Sequence, residues 1–208
     1  MIKFGLLGYP LGHSFSQKYF TEKFQKLNLT DHVFDLFSFQ EINAFKEQLK
    51  NENELKGFSV TIPHKENIIS LLDELHETAK KIGAVNCVKI ETINGKKFLK
   101  GYNTDAFGFQ QSVKPFLEPQ HDRALILGTG GASKAVHYVL KNIGIDVWFV
   151  TRNKKNFNSS TELWTGEENY FNYEDLNEHV LKAFNLIVNT SPVGMFPDST
   201  SFPNIPYQ

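Results

Sequence analysis

A strand, a glycine-rich turn and a helix follow one another directly in the second half of the sequence, and this order most restricts the fold. Residues Arg123–Leu127 have a strand pattern, a helical pattern ends near Asn142, and Ile145–Val150 is a second strand pattern. The intervening turn consists of Gly128, Thr129, Gly130, Gly131, Ala132 and Ser133. Such a unit is typical of dinucleotide binding, because backbone N–H groups at the helix N-terminus attract a pyrophosphate. A turn that needs glycine for its geometry alone is the alternative.

The residues after the second strand favour one cofactor. NAD enzymes place an acidic residue here to bind the ribose 2′-hydroxyl, whereas an arginine accommodates the 2′-phosphate of NADP. This sequence has no carboxylate at that point, and its residues are Thr151, Arg152, Asn153, Lys154 and Lys155. A guanidinium binds phosphate through two hydrogen bonds, and lysine adds positive charge. NADP is therefore the predicted cofactor, and a solvated basic turn is the alternative.

Strand and helix patterns also alternate through the first half. The predicted strands are Ile2–Gly8, His32–Phe39, Gly57–Ile62, Ala84–Ile90 and Lys97–Lys100, and the predicted helices are Ser14–Asn28, Ile42–Leu49 and Ile68–Ile82. Asn94-Gly95 is typical of a two-residue hairpin turn. This order predicts an α/β fold with a mostly parallel sheet. A predicted helix over Asp105–Phe116 connects it to the second unit, whose last predicted strand is Leu186–Asn189.

Composition excludes several classes of function. The chain has 208 residues, a net charge of −1 and 40% hydrophobic residues, as expected for a globular protein. This balance gives no electrostatic reason to predict nucleic-acid or membrane binding. No signal peptide, membrane span or metal site is predicted. The single cysteine, Cys87, cannot form an internal disulfide, so we expect a buried, inert thiol in a cytoplasmic protein.

Two ionisable residues follow strand patterns beside residues that restrict the backbone. Lys65 comes two positions after Pro63, and Asp105 ends the run that begins at Gly101. A lysine and an aspartate held in this way can exchange a proton with a substrate hydroxyl, which is the acid–base part of an alcohol oxidation. A nicotinamide cofactor would supply the other part. Taken singly, Lys65 could be a surface lysine and Asp105 a carboxylate that stabilises a helix N-terminus.

Three further polar residues could bind a ligand. Ser14 and Ser16 stand where a helix begins, so either could cap that helix or bind a small carboxylate. Asn86 lies in an apolar strand pattern and needs hydrogen-bond partners if it is buried. A ligand hydroxyl and a backbone group are equally plausible partners.

Seven motifs occur in an order that resembles the shikimate dehydrogenase family, the NADP-dependent enzymes of aromatic amino-acid biosynthesis. The motifs are Gly8–Ser16, Val60–Lys65, Gly83–Asn86, Gly101–Asp105, Gly128–Ala132, Thr151–Asn153 and Asn189–Met195. The resemblance covers nearly the whole chain. It implies an N-terminal α/β substrate-binding and catalytic domain over residues 1–104. It also implies a Rossmann-like NADP-binding domain over residues 105–208, and a cleft between the two.

The resemblance also implies roles for individual residues. Ser14 and Ser16 would hold the substrate carboxylate, and Thr61, Asn86 and Asp105 would contact the ring hydroxyls. Lys65 would be the catalytic proton donor and acceptor, oriented by Asp105. The implied cofactor contacts are Glu77, the turn Gly128–Ser133, Thr151, Arg152, Asn153, Lys155 and Thr190.

The implied reaction is the reversible, NADPH-dependent reduction of 3-dehydroshikimate to shikimate, by a monomer or homodimer that needs only small molecules as partners. An enzyme that oxidises quinate is one alternative, and a binding or regulatory protein without turnover is another. Two departures from the family stand out: Thr151 replaces the usual asparagine, and the family continues past Gln208. We therefore expect the cofactor domain to be incomplete at its C-terminus and the 208-residue chain to be poorly active.

Overall fold

The computed structural model describes residues 1–12, 14–152 and 168–207. Within them the chain divides into two compact units. The first unit consists of Met1–Lys80 and Ala84–Thr104, and the second consists of Lys81–Gly83 and Asp105–Gln208.

The first unit contains a six-stranded sheet with the strand order β2-β1-β3-β5-β6-β4. Its elements are β1 (Ile2–Gly8), α1 (Phe15–Lys26), β2 (His32–Ser38), α2 (Ile42–Asn51), β3 (Leu55–Val60), a 3-10 turn (Asn67–Leu71), β4 (Glu74–Leu75), α3 (Glu77–Ile82), β5 (Cys87–Ile93) and β6 (Lys96–Tyr102). The pairs β1–β2, β1–β3 and β4–β6 are parallel, whereas β3–β5 and β5–β6 are antiparallel. The predicted α/β fold is confirmed, in the form of a mixed sheet.

Strand β1 is an interior strand of this sheet and is covered on both faces, which explains its mostly apolar sequence. Successive side chains of a strand point to opposite faces. Leu7 accordingly packs in a cluster with Phe45 and Leu49 of α2. Leu6 packs in a second cluster that includes Phe20 and Phe24 of α1. The sheet is therefore the middle layer between two helices.

The hairpin predicted at Asn94-Gly95 is confirmed. Both residues have positive φ, 51° and 76°, as a type I′ turn requires. Ile93 pairs with Lys96 across the turn, and the antiparallel register continues to Cys87 and Tyr102.

The single helix predicted over Ile68–Ile82 is wrong. The structure divides this segment into the 3-10 turn, β4 and α3. The cause is Asp73, whose N–H donates to the Leu99 carbonyl oxygen (3.0 Å) and whose carboxylate accepts the Leu99 N–H (2.7 Å). These two bonds hold the segment in an extended form at the sheet edge and override its helical periodicity.

The strand predicted over Ala84–Ile90 is shifted, because β5 begins only at Cys87. The backbone N–H of Val85 donates to the carbonyl oxygen of Lys65 at 2.7 Å instead of joining the sheet. Cys87 itself is half-buried, and burial raises the pKa of its thiol.

The second unit contains a parallel sheet with the order β10-β7-β8-β9. Its elements are α4 (Asp105–Val113), a 3-10 turn (Lys114–Phe116), β7 (Arg123–Leu127), α5 (Gly131–Asn142), β8 (Asp146–Val150), β9 (Tyr170–Phe171), a second 3-10 turn (Tyr173–Asp175), α6 (Glu178–Lys182) and β10 (Leu186–Asn189). Strand β9 is an element that the sequence pattern did not predict.

Strand β7 is central in this sheet and buried on both faces. Ala124 and Ile126 pack in a cluster with Val136 and Leu140 of α5. Leu125 and Leu127 point to the other face, in a cluster that includes residues of α6. A parallel sheet with helices on both faces is the architecture of dinucleotide-binding folds. Among the residues that the structure describes, no helix is long and apolar enough to cross a membrane.

Candidate functional site

One edge of the first sheet gathers five of the predicted substrate-binding residues. Strands β1 and β3 are parallel, so the loops that follow them leave at the same edge. These loops carry Ser14, Thr61 and Lys65, and Ser16 lies in the first turn of α1. Strand β5 runs antiparallel to β3 and starts opposite Ser59, which brings the preceding residue, Asn86, to this edge as well.

Backbone hydrogen bonds join these loops beyond the ends of the strands. The Thr61 N–H donates to the Leu7 carbonyl oxygen at 2.8 Å, and the Tyr9 N–H donates to the Ile62 carbonyl oxygen at 2.9 Å. The Val60 N–H donates to the Asn86 carbonyl oxygen at 2.8 Å. The edge is therefore a connected set of loops and not a group of independent ones.

Ser14 occupies the N-cap position of α1, but its side chain makes no capping hydrogen bond. Its hydroxyl oxygen is buried and has no hydrogen-bond partner among the described residues. Leaving a buried hydroxyl unpaired costs about 1–3 kcal/mol, so a ligand that supplied the bond would recover that free energy. No acidic residue lies in the first turn of α1. A carboxylate at this helix N-terminus would therefore meet no repulsion from that turn.

The Asn86 amide is held at both ends by Thr104. The Asn86 side-chain oxygen accepts the Thr104 backbone N–H at 2.8 Å, and its Nδ2 donates to the Thr104 hydroxyl at 2.8 Å. These contacts fix the orientation of the amide. Thr104 was not predicted as a site residue, although it lies inside the motif Gly101–Asp105.

His64 is a second residue that the sequence did not single out. Its ring is almost fully buried, its Nε2 lies 2.6 Å from the carbonyl oxygen of Phe39, and its Nδ1 has no hydrogen-bond partner among the described residues. The Phe39 N–H in turn donates to the Gly8 carbonyl oxygen at 3.2 Å. His64 thus ties the loop that carries Lys65 to the loops after β1 and β2.

Three predicted site residues, Lys65, Glu77 and Asp105, lie in different elements. Lys65 is half-buried in the loop after β3. Glu77 is exposed at the first position of α3. Asp105 is the first residue of α4 and belongs to the second unit. Its predicted role beside Lys65 stays a prediction.

In the second unit, the glycine-rich turn joins β7 to α5. Gly128 has a φ of 107°, and a Cβ there would lie 3.1 Å from the Thr190 hydroxyl and 3.3 Å from the Ser191 nitrogen. The positive φ favours glycine, and the two short distances leave little room for a side chain. Gly130 is the N-cap of α5, and no acidic residue lies in the first turn of that helix. The backbone N–H groups of residues 131–133 therefore have no partner within the helix, which suits a bound phosphate.

Two predicted cofactor residues use their hydroxyls within the protein. Ser133 is fully buried, and its hydroxyl donates to the Gly130 carbonyl oxygen at 2.6 Å. The Thr190 hydroxyl donates to the Leu127 carbonyl oxygen at 2.8 Å. A Ser133 contact with phosphate would come from its backbone N–H, and Thr190 retains only acceptor capacity.

The basic turn begins at the carboxyl end of β8, on the same sheet edge as the glycine-rich turn. Thr151 is buried there, and Arg152 is exposed. Asn153, Lys154 and Lys155 lie outside the described residues. Within the described residues, no group of three or more His, Cys, Asp or Glu side chains could hold a metal ion.

A largely apolar cavity of about 490 Å³ lies elsewhere in the second unit, beside β10. Its lining includes Leu127, Ile187, Ile205 and Tyr207. None of the predicted cofactor residues lines it, so the glycine-rich turn and not this cavity is the candidate cofactor site.

Comparison with known proteins identifies the family. Residues 6–88 match the model of the shikimate dehydrogenase substrate-binding domain. A shikimate dehydrogenase (NADP(+)) of Methanococcus maripaludis is 40% identical over 97% of this chain and 72% of its own length. Among solved structures, shikimate dehydrogenase 1 from Peptoclostridium difficile is 33% identical, with a TM-score of 0.78 over 98% of this chain and 72% of that one.

A second solved structure, shikimate 5-dehydrogenase from Thermus thermophilus in complex with NADP(H) and shikimate, has a TM-score of 0.75. It is 29% identical, and the match covers 99% of this chain and 74% of that one. The names of these relatives agree with both the predicted family and the predicted cofactor. The chain therefore belongs to the shikimate dehydrogenase family.

Proposed function

We propose that this protein catalyses the reversible, NADPH-dependent reduction of 3-dehydroshikimate to shikimate. The observation that carries the proposal is the sheet edge where Ser14, Ser16, Thr61, Lys65 and Asn86 lie, within the unit that contains the family-model match. The names of the relatives support the same reaction, and one solved relative was determined with NADP(H) and shikimate. In this proposal residues 1–104 bind substrate and residues 105–208 bind the cofactor.

Substrate binding is assigned to three kinds of polar group. The Ser14 and Ser16 hydroxyls receive the carboxylate, and the unpaired Ser14 hydroxyl supports this assignment. Thr61, Asn86 and Asp105 contact the ring hydroxyls. The Asn86 amide is already oriented by Thr104, so it loses little conformational freedom when it binds.

Lys65 is assigned the proton transfer. When bound, NADPH supplies the hydride that reduces the substrate carbonyl. The Lys65 ammonium donates a proton to the oxygen of that carbonyl, and in the reverse direction neutral Lys65 accepts the proton of the hydroxyl. The loop that carries Lys65 is held by the Val85 N–H on its carbonyl oxygen (2.7 Å), which limits movement of the residue.

Cofactor binding is assigned to the carboxyl edge of the second sheet. The N-terminus of α5 and the turn Gly128–Ser133 receive the pyrophosphate. The adenosine ribose and its 2′-phosphate are assigned to Thr151, Arg152, Asn153 and Lys155. The exposed guanidinium of Arg152 supports the preference for NADP. Glu77 and Thr190 are further proposed cofactor contacts.

The cellular setting is also a proposal. We infer that the protein acts in the cytoplasm, as a monomer or homodimer, with small molecules as its only partners. The support is the single, half-buried Cys87 and the near-neutral net charge of −1.

The test is NADPH formation from shikimate and NADP by the purified chain and by two variants. Lys65→Ala should lower kcat by at least about 100-fold, the lower range for general acid–base catalysis, because the proton has no carrier. KM for shikimate should change much less, since the carboxylate and hydroxyl contacts remain. Lys46→Ala, which removes an exposed lysine of α2, is the matched control and should behave like the wild type.

Three results would contradict the assignment. A wild-type chain that neither binds nor turns over shikimate would contradict the proposed function. Near-normal kcat in Lys65→Ala with a raised KM would reassign Lys65 to substrate binding. Faster turnover of quinate than of shikimate would make quinate the substrate.

A further inference from the structure

We propose that Gly8 is a positioning residue for the substrate, because the absence of a side chain at Gly8 fixes the rotamer of Thr61 and so the place of its hydroxyl. This inference rests on the proposed function, in which Thr61 contacts a ring hydroxyl. Gly8 itself touches neither substrate nor cofactor in this account.

The two residues lie side by side where β1 and β3 end. Leu7 pairs with Val60 in the parallel register, and the next residues on the two strands are Gly8 and Thr61. Hydrogen bonds on both sides hold this pair in register, from the Thr61 N–H to Leu7 and from the Tyr9 N–H to Ile62.

The methyl group of Thr61 occupies the space that a side chain at residue 8 would need. A Cβ built on Gly8 would lie 2.3 Å from the Thr61 Cγ2 and 2.9 Å from the Ile62 carbonyl oxygen. The first distance is far below van der Waals contact between carbon atoms, which is about 3.5–4.0 Å. Gly8 therefore provides the surface against which the Thr61 methyl packs.

The position of the methyl determines the position of the hydroxyl. Thr61 is β-branched, so its methyl and hydroxyl occupy two of the three staggered positions on the same carbon atom. Within the described residues, no hydrogen bond holds the Thr61 hydroxyl. The contact of the methyl with Gly8 is thus what selects the rotamer, and it leaves the hydroxyl available to a ligand.

The contact also couples two parts of the proposed substrate site. Gly8 ends β1 and precedes the loop that carries Ser14, whereas Thr61 precedes the loop that carries Lys65. A side chain at residue 8 would push these loops apart or turn Thr61 to another rotamer. In either case the spacing between the carboxylate-binding and hydroxyl-binding groups would change.

A double-mutant cycle tests this coupling. Gly8→Ala introduces a Cβ close to the Thr61 methyl and to the Ile62 carbonyl oxygen. Thr61→Ser removes the first of these contacts, which is the shorter one, and keeps the hydroxyl. We expect Gly8→Ala to lower kcat/KM for shikimate at least tenfold, mainly through KM. Thr61→Ser alone should lower it by a smaller factor, because its hydroxyl remains but loses the methyl contact that selects the rotamer. The double variant should recover part of the loss, since only the contact with the Ile62 carbonyl oxygen and the smaller effect of Thr61→Ser remain.

Gly12→Ala is the matched control, since a Cβ at Gly12 in the same loop would have no neighbour within 4 Å. It should leave kcat/KM and stability close to the wild-type values. Calorimetry measures the affinity for shikimate of the wild type, the two single variants, the double variant and the control. This measurement does not depend on turnover.

A nuclear Overhauser contact between the Gly8 Hα atoms and the Thr61 methyl, with a single Thr61 χ1 rotamer, is expected in the wild-type protein. If this contact is absent, the inference is overturned. That result depends neither on activity of the chain nor on folding of Gly8→Ala. The inference is also overturned if the fold-changes in kcat/KM of Gly8→Ala and Thr61→Ser multiply to give the fold-change of the double variant. By contrast, a wild-type chain with this contact that neither binds nor turns over shikimate contradicts the proposed function and leaves the packing contact established.

Discussion

At the scale of single residues, Arg152 gives a direct test of the cofactor assignment. It is exposed just after β8, where the sequence carries no carboxylate that could bind a ribose 2′-hydroxyl. We expect Arg152→Ala to weaken NADP binding by about 1.5–3 kcal/mol, the range for a hydrogen bond to a charged group. Binding of NAD should change little, because NAD has no 2′-phosphate. Calorimetry with both cofactors measures the difference.

The matched control for Arg152 is Arg123. It is an exposed arginine in the same sheet, but it lies at the start of β7, at the opposite edge from the glycine-rich turn. Arg123→Ala should leave the affinity for NADP unchanged. Equal losses of NADP and NAD affinity in Arg152→Ala would show that the guanidinium does not bind the 2′-phosphate.

The sequence predicts a site residue when that residue belongs to a motif with a known chemical role. It does not predict a residue whose importance depends on a partner far away in the chain. Ser14, Thr61, Lys65 and Asn86 were predicted in this way, and their functional roles stay predictions. Thr104 was missed because its importance lies in hydrogen bonds to Asn86, 18 residues away. His64 was missed for the same reason, since its partner Phe39 is 25 residues away.

At the scale of elements, local patterns predicted the structure best where local and tertiary preferences agree. Strand β7 has its predicted bounds, and α5 ends at the predicted Asn142, because a buried central strand and its covering helix have strong apolar patterns. The segment Ile68–Ile82 has a helical pattern but is interrupted by β4. Its interruption depends on the pairing of Asp73 with Leu99, which no pattern local to the segment could reveal.

Glycine-to-alanine substitution should have opposite effects on stability in the turn between β5 and β6 and inside helix α4. Gly95 has a φ of 76°, so Gly95→Ala should destabilise the protein by about 1–2 kcal/mol although no atom lies within 4 Å of the added carbon. Gly108 lies inside α4, where a Cβ also has no neighbour within 4 Å. Gly108→Ala should stabilise by about 0.5–1 kcal/mol, since alanine loses less backbone entropy in a helix.

Urea unfolding followed by circular dichroism measures both changes in the free energy of unfolding. Each variant is compared with the wild type at the same protein concentration. Destabilisation by Gly108→Ala, or no change in Gly95→Ala, would show that local backbone preference does not control these positions.

At the scale of the whole molecule, the predicted α/β fold class is confirmed, and the structure adds the mixed character of the first sheet. The sequence order of strands and helices predicts layers well, because each strand must be covered by the helices beside it. It does not specify which strands pair. The antiparallel course of β5 brings Asn86 to the sheet edge where Ser14, Thr61 and Lys65 lie. It follows from pairing with β3 and not from the order of elements.

The stability of the whole chain should depend on pH through His137. This residue of α5 is buried against the ring of Phe149 (centroids 5.2 Å apart), and its pKa is lowered to about 4, first by burial and then by the charge of Lys141. In the unfolded chain its pKa is about 6.5. Between these values the unfolded state binds a proton that the folded state does not, so stability falls as the pH is lowered from about 6.5 to 4. The loss from this residue approaches about 3 kcal/mol near pH 4.

Urea unfolding at a series of pH values, on the wild type and on His137→Gln, isolates this effect. Glutamine keeps a polar side chain of similar size but does not titrate, so the difference in free energy of unfolding between the two proteins should change between about pH 6.5 and 4 and stay constant above about pH 7. His179→Gln, which replaces an exposed histidine of α6, is the matched control. Since other groups titrate in both proteins alike, a difference that stays constant across this range would show that His137 binds its proton equally well in the folded and unfolded chain.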